Sequence, residues 1–595
     1  MSLVEELLAD ASFDLGWSLI ERFAVLVRES GSPDERAAAH FITSRLQALD
    51  IPYDLHEPEL FISVPRSASL EVEGTTMAGK PPSFSASTDP KGLTGQPVHV
   101  PATAIRDASE LFRSAVEGEL PDVQGKVVVT EGYPMPVSVA RFEAAGAAGQ
   151  VYINPGVNVH WGICTPIWGA PEESQLAQKP STPVLAINRT DGNRLIQAIE
   201  DGIGQVTLHA ELDEGWRSCP IPVARIDGAE EEFVLVHGHY DSWDIGIGDN
   251  AVGNATLLEL ARILHEHCEG LRRSVRIAWW PAHSTGRYGG STWYADNFGI
   301  DLHQRCVAAV NIDSPGCWGA TEYDEVPWMA EAEDVCRASI HSVAGIDPGR
   351  QRPLRAGDYS FNNLGISSLY MLLSNIPEAE RERLGFYPVG GCGGNIAWHT
   401  ERDRIGIADR ANLERDLRVY LTTIGEFLTA EVIPLDYRRT VAELDEALQD
   451  YEPKAAKRFD LSAIRHRLDA VTKRLDDIYP KIAAGEVDAA TANELILKLG
   501  RFLVPLGYSE EARFEHDPAT PRVPIPRLAK LHELEAMEEE APERVPLIKT
   551  ELRRHANEMA QSLGEALWLL NLLVPPPRVE PPKPKRRKKK KPKGK

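Results

Sequence analysis

Phe233-Val234-Leu235-Val236-His237-Gly238-His239-Tyr240-Asp241, followed closely by Gly248-Asp249-Asn250-Ala251, decides the fold class of this chain. The opening apolar run is short and bounded by glycine, which reads as a buried parallel strand. From Asn254 to Gly270 the apolar Leu257, Leu258, Ala261 and Leu264 recur at helical spacing, so the polar cluster lies between a strand and a helix. In open α/β sheets, ligands bind beyond the carboxyl ends of the strands. A histidine and two aspartates delivered there are the nitrogen and oxygen donors that a borderline divalent cation such as zinc prefers. Alone, such a cluster reads equally well as a hydrogen-bonded loop.

The pattern recurs. A strand over Ser274–Trp280 runs into Pro281-Ala282-His283-Ser284-Thr285-Gly286, and a strand over Val307–Asn311 runs into Asp313-Ser314-Pro315-Gly316. Further on, a loop rich in glycine (Gly390, Gly391, Gly393, Gly394) leads into Trp398-His399-Thr400-Glu401. Three strands and one loop thus present a ligand type at one sheet edge. Neighbouring strands lie about 5 Å apart, so side chains at their tips can converge on one or two ions. The expected class is α/β, a mostly parallel sheet with flanking helices.

These strings resemble the zinc exopeptidases that include glutamate carboxypeptidase and bacterial aminopeptidases, with the transferrin receptor as a relative that has lost the activity. The family pattern is His-x-Asp, an Asp opening Asp-Asn-Ala-x-Gly, a Glu-Glu after a strand, an Asp, and a His. The resemblance makes His239 a ligand of the first metal, Asp241 the residue that orients it and Asp249 the carboxylate bridging both metals. Asp313 becomes the remaining ligand of the first metal and His399 the histidine of the second.

The pattern breaks where the family has Trp-x-Ala-Glu-Glu-x-Gly. Its first Glu is the general base toward the metal-bound water and its second a ligand of the second metal; here those positions are His283 and Ser284. Serine is a poor zinc ligand, so the second site keeps Asp249 and His399 unless His283 turns inward. Three readings stand at this point. His283 is the base over one metal held by His239, Asp249 and Asp313, histidine having a suitable pKa; or His283 is itself a ligand; or the site is dead. The cofactor implied is a divalent metal, zinc foremost, with one tight site expected and a second conceivable; manganese and iron also suit the donors. Asp358 and Tyr359, in Gly357-Asp358-Tyr359-Ser360-Phe361, match strings that line the family pocket and are candidates for substrate contact, with a helix cap as the other reading of Asp358. Trp398 stands where some relatives carry an oxyanion-stabilising Tyr, and offers only its indole N–H.

Length and composition agree with a multidomain globular protein. The chain has 595 residues, too many for one core, with 43% hydrophobic and 26% charged residues. The apolar run Leu567–Val574, broken by Asn571, is too short to span a bilayer. The opening Met1-Ser2-Leu3-Val4-Glu5-Glu6 is acidic where a signal peptide is basic, and seven irregularly spaced cysteines read as reduced thiols, so a cytoplasmic protein is expected. Cys317 and Cys392, which flank the metal loops, read as buried structural thiols.

The chain divides into N-terminal helices (1–55) that pack on the core, with Ser32-Pro33-Asp34-Glu35 opening a helix over Ala37–Leu49. A β-rich segment (56–220) resembles the protease-associated domain, whose family role is a lid or substrate wall. Within it Ala140–Gly149 reads as a helix feeding the strand Val151-Tyr152-Ile153. The catalytic core spans 221–432. An all-α region (433–575) shows amphipathic stretches at Val441–Asp450, Ile464–Ile482, Ala490–Leu503 and Arg544–Leu573, and resembles the helical domain through which the family dimerises. A homodimer is expected there, with packing onto the same chain as the alternative.

The tail (576–595) has ten Lys or Arg and no acid from Lys583 onward, and should be disordered. Without those ten the net charge of −24 becomes −24 − 10 = −34, so the body repels nucleic acid. The tail either shields its own body or docks on an anionic surface. Two functions follow: a metal-dependent hydrolase of a small-molecule amide or peptide, or a non-catalytic dimeric binding protein with a structural metal.

Overall fold

The computed structural model describes residues 2–103, 111 and 118–576. The basic tail, but for its first residue, lies outside the described residues. A six-stranded sheet forms the centre, in the spatial order Tyr53–His56, Ile221–Ile226, Arg273–Trp280, Glu230–His239, Cys306–Ile312 and Ser367–Met371. The last four strands are mutually parallel, and the first two add antiparallel at one edge. The expected α/β class with a mostly parallel sheet is the observed one.

The apolar runs are continuous because both faces of the sheet are covered. Val234, Val236, Val275, Ile277, Val310 and Ile312 point to one face and pack with the helix Val252–Glu266 and with Arg410–Thr429. Phe233, Leu235, Ala278, Trp280 and Ala309 point to the other, under Tyr294, Ala295 and Leu302 of the helix Gly289–Arg305. The side chains alternate, as the two-residue strand period requires. At the N-terminus the helix Pro33–Ala48 is capped by Ser32, whose hydroxyl accepts the Glu35 N–H at 3.1 Å.

Between the first two central strands the chain makes a long excursion. Glu59–Val72 leaves the core paired antiparallel with Val206–Ser218, which returns to it. They frame a second sheet of four parallel strands, Pro97–His99, Val127–Glu131, Gly149–Ile153 and Val184–Ile187. The helix expected through Gly149 ends at Ala144 instead. Gly146, at φ +85°, turns the chain out of the helix, and Gly149 already starts the strand.

The C-terminal helices run longer than the amphipathic windows suggested: Tyr437–Ala455, Ser462–Ala483, Ala489–Tyr508 and Val545–Leu573. Their apolar faces are continuous with the core. Leu569 and Leu570 are buried within the chain, whereas Trp568 is 64% and Leu572 56% exposed. Among the described residues, no helix is long and apolar enough to cross a membrane.

Candidate metal centre

Strand register brings the polar residues together. His239, the last residue of its strand, pairs with Trp280, and His237 pairs with Asn311, which pairs with Tyr370. The residues that follow these tips, His283 and Asp313, therefore emerge beside His239. The strands approach closely enough that a Cβ on Gly238 would lie 2.4 Å from the Ile312 carbonyl oxygen. The Asp-Asn-Ala-x-Gly string has a local cause as well. The Asn250 amide donates to the Ile312 carbonyl at 2.9 Å, and its oxygen accepts the N–H groups of Gly253 at 3.1 Å and Ser314 at 3.0 Å. One side chain thereby ties the Asp249 loop to the Asp313 tip, and Gly253 leaves it room. The Asp249–Asn250 peptide bond is cis.

His239 is the hub. Its Nε2 lies 2.9 Å from Asp249 Oδ1 and 3.5 Å from Asp313 Oδ2, while Nδ1 faces the Asp241 carbonyl at 3.1 Å. The His399 Nε2 lies 3.1 Å from Asp249 Oδ2, so two imidazoles sit on opposite oxygens of one buried carboxylate. Asp241 sets the neighbouring loop, its two oxygens accepting the backbone N–H groups of His283 at 3.1 Å and Ser284 at 2.8 Å. Burial alone would lower the pKa of His239; Asp313, Asp241 and Asp249 outweigh it and hold the imidazole well above the usual histidine value. Burial alone would raise Asp249; His239 and His399 outweigh it and hold that carboxyl well below the usual range.

These residues fit a cation. The buried Nε2 of His239 makes no directed hydrogen bond, although Asp249 is near enough by distance alone. A donor set of one imidazole and two carboxylates suits zinc or a similar ion. His239, His283 and Asp313 also form a cluster whose ligand atoms all lie within 4.8 Å of one another. His399 stands outside it, and Ser284 supplies only a hydroxyl where the family has a carboxylate.

His283 is placed by two contacts. Its Nδ1 lies 3.0 Å from Asp358 Oδ2, and its ring stacks on His239 with centroids 3.8 Å apart and planes 10° from parallel. Asp358 also accepts from the Ser291 hydroxyl at 2.8 Å. Burial would raise the Asp358 carboxyl, but the charge and hydrogen bond of His283 hold it below the usual carboxylate range. Asp358 therefore caps no helix. It grips His283.

Two other sequence-derived assignments change. The Tyr359 hydroxyl donates to the Tyr370 carbonyl, so this buried side chain is not a substrate contact at the metal centre. Trp398 does line the cleft, with its ring stacked on His399 at 3.7 Å. The cleft beside the centre is a narrow cavity of about 60 Å³. Tyr133, Met135, Trp161 and Ile163 of the excursion form one wall, and Arg287 and Tyr288 another. The Trp161 carbonyl faces His399 Nδ1 at 3.0 Å, and the Trp161 N–H donates back to the His399 carbonyl at 2.9 Å. Lys80 sits 3.2 Å over the Trp161 ring and pairs with Glu401 at 2.8 Å; burial pushes its amine down to about 8.

Sequence reading missed Asp403, Arg287 and Trp161. Asp403 accepts the N–H groups of Gly248 at 2.6 Å and Asp249 at 2.9 Å, fixing the loop that carries the central carboxylate. Burial pushes its own carboxyl up to about 7 despite those two bonds. Its place four residues after His399 is the one signal that might have drawn notice.

Residues 223–424, which contain every residue of the proposed metal centre, match the sequence model of peptidase family M28. The chain is 24% identical to the probable glutamate carboxypeptidase VP8 of Zea mays over 345 residues, 48% of each chain. It is 26% identical to carboxypeptidase Q of Bos taurus over 225 residues, 35% of this chain and 44% of that one. The chain thus spans about half the length of these relatives, or less. Among solved structures, a zinc aminopeptidase from Bacillus subtilis superposes with a TM-score of 0.53 at 20% identity, covering 71% of this chain and 96% of the other. That likeness is one of fold. The resemblance to zinc exopeptidases is borne out, and the core is that of a metallo-exopeptidase-like hydrolase family whose members imply a divalent metal, typically zinc.

Proposed function

We propose that this protein is a metal-dependent hydrolase of an amide or related C–N bond in which His283, held by Asp358, accepts and returns the proton. The observation that carries this reading is the pair of contacts on His283. Two rings in face-to-face contact have planes about 3.5 Å apart. An ion in the plane of His239 would thus lie well beyond the 2.0–2.1 Å or so of a zinc–nitrogen bond from any atom of His283. The near-parallel rings cannot both aim their in-plane lone pairs at one ion. This argument outweighs the mere proximity of His239, His283 and Asp313, and favours the base over the ligand.

His239, Asp249 and Asp313 would hold the cation. Such an ion, when bound, polarises a carbonyl and lowers the pKa of water. Asp358, accepting from Nδ1–H, leaves the lone pair of His283 on Nε2, which is the state a general base requires. The proton taken at Nε2 is the one the departing amine needs, so Nε2 gives it back. Asp241 holds the His283 backbone, and the aromatic wall from Tyr133 and Trp161 keeps bulk water from the reacting bond. The C-terminal helices make a homodimer, with Trp568 and Leu572 at its interface.

Elemental analysis tests the metal reading: close to one tight divalent ion per chain is expected, and none would sink it. His283→Ala should then keep that ion while turnover on a broad amide panel falls about 10²–10⁴-fold. Loss of the metal with the side chain would make His283 a ligand instead.

A further inference from the structure

We infer that Arg287 is a specificity-determining residue that binds a carboxylate of the substrate, so that the amides cleaved are ones bearing a free carboxyl group; this rests on the hydrolytic reading above. Arg287 lines the same cleft as Asp249, His283, Asp313 and His399, and is only 5% exposed. Arginine is almost never buried that far without an anion beside it. Here its Nε has no hydrogen-bond partner, and no described carboxylate pairs with the guanidinium. Its one side-chain hydrogen bond is a long 3.4 Å contact from Nη2 to the Ala519 carbonyl, and the Tyr288 ring is 5.2 Å away. Neither offsets the desolvation of a full charge.

The backbone shows that this placement is enforced. Arg287 and Tyr288 are consecutive residues in the left-handed region, at φ +47° and +68°. Such conformations persist only where the surroundings impose them, and they gather at functional sites. The Gly169 N–H clamps the Arg287 carbonyl at 2.6 Å, and Trp168 packs on the Tyr288 ring at 4.0 Å. A chain seeking only stability would turn this side chain to solvent. The chemistry that fits is a monoanion with two coplanar acceptor oxygens, because the Nε edge of a guanidinium offers parallel N–H groups. In a cleft otherwise walled by Pro134, Met135, Trp161 and Met371, that charge would orient an amide whose carbonyl lies at the metal centre.

The test compares N-acetyl-L-leucine with N-acetyl-L-leucinamide by calorimetric titration of the metal-loaded full chain. The acid should bind the wild type at least about tenfold more tightly, the order expected of a charge-assisted bidentate pair. Arg287→Met should erase that preference and leave the affinity for the carboxamide within about twofold. Equal binding of both probes to the wild type overturns the inference, as does a preference that survives Arg287→Met or a loss of both affinities together. Tighter binding of the matching phosphonate overturns the carboxylate class. If Arg287→Met does not fold, Arg287→Lys, which keeps charge but loses the fork, should lower the preference several-fold, and an unchanged preference counts against it. A wild type that prefers the acid yet hydrolyses no amide refutes the hydrolytic reading alone. One that hydrolyses neutral amides without preferring the acid refutes this inference alone.

Discussion

Replacing Asp358 with asparagine changes one oxygen for an amide nitrogen and separates the proposed base from every alternative. In the wild type, Oδ2 accepts from His283 Nδ1 at 3.0 Å while Oδ1 accepts from the Ser291 hydroxyl at 2.8 Å. An asparagine keeps one acceptor, and Ser291 can hold it, which turns the NH₂ toward His283. A donor facing Nδ1 forces that nitrogen to become the acceptor, so the proton moves to Nε2 and the lone pair needed for catalysis is gone. The structure scarcely has to move, because Asp358 is 1% exposed and the amide is nearly isosteric. Turnover should therefore fall by about 10²–10⁴-fold, the usual worth of a positioned proton acceptor. Metal content should not change, since Asp358 contacts His283 and none of the three proposed ligands. The assay is kcat/KM on the responsive amide alongside elemental analysis of the same preparation. Equal turnover in Asp358→Asn would refute the argument, and so would a parallel loss of the ion, which would mean that His283 and Asp358 build the metal site.

Two further outcomes are expected. In the metal-free protein the folded pKa of His239 is raised above its unfolded value, so its stabilisation is full below about pH 6.5 and is lost as pH rises through the raised value. A cation needs the neutral imidazole, so the loaded protein should show the reverse trend, holding its metal less well on acidification; thermal unfolding from about pH 6 to 9 with and without chelator should give opposed slopes, and parallel curves would refute this. For assembly, Trp568→Glu should place a charge on the exposed apolar end of the last helix and convert a dimer to monomers in light scattering; a wild type that is already monomeric at micromolar concentration refutes the dimer.

What the sequence disclosed was whatever the chain keeps local. His239, Asp241, Asp249 and Asp313 follow apolar strands whose parallel pairing fixes where their tips meet, so both sheet and cluster could be read from short strings. The C-terminal helices were visible by their apolar period, although Tyr437–Ala455 outruns the window Val441–Asp450 because its end turns carry few apolar residues. Contacts made across long separations could not be read. His283 and Asp358 are 75 residues apart and meet only through the sheet, so Asp358 looked like a cap or a pocket residue. Tyr359 shares that string, yet its side chain turns the other way. The stack of His283 on His239 depends on loop conformations set by Asp241, and the isolation of Arg287 is a property of everything that fails to approach it. Neither leaves a mark in composition or spacing.

The reciprocal backbone pairing of Trp161 with His399 has a consequence for the excursion as a whole. A metal-binding histidine is normally aimed by whatever its second ring nitrogen bonds. Here that partner is a carbonyl on a segment which departs from the core through two long strands and returns to it some 150 residues later. The excursion is therefore not a detachable module. Its rigidity and the grip of His399 are thermodynamically linked, and linkage is symmetric. A lesion that loosens the outer sheet is felt as a misaimed imidazole, and an ion held by that imidazole braces the outer sheet in return. Trimming the chain to its α/β core would leave all the conserved-looking letters of the motif in place and remove the part that points one of them.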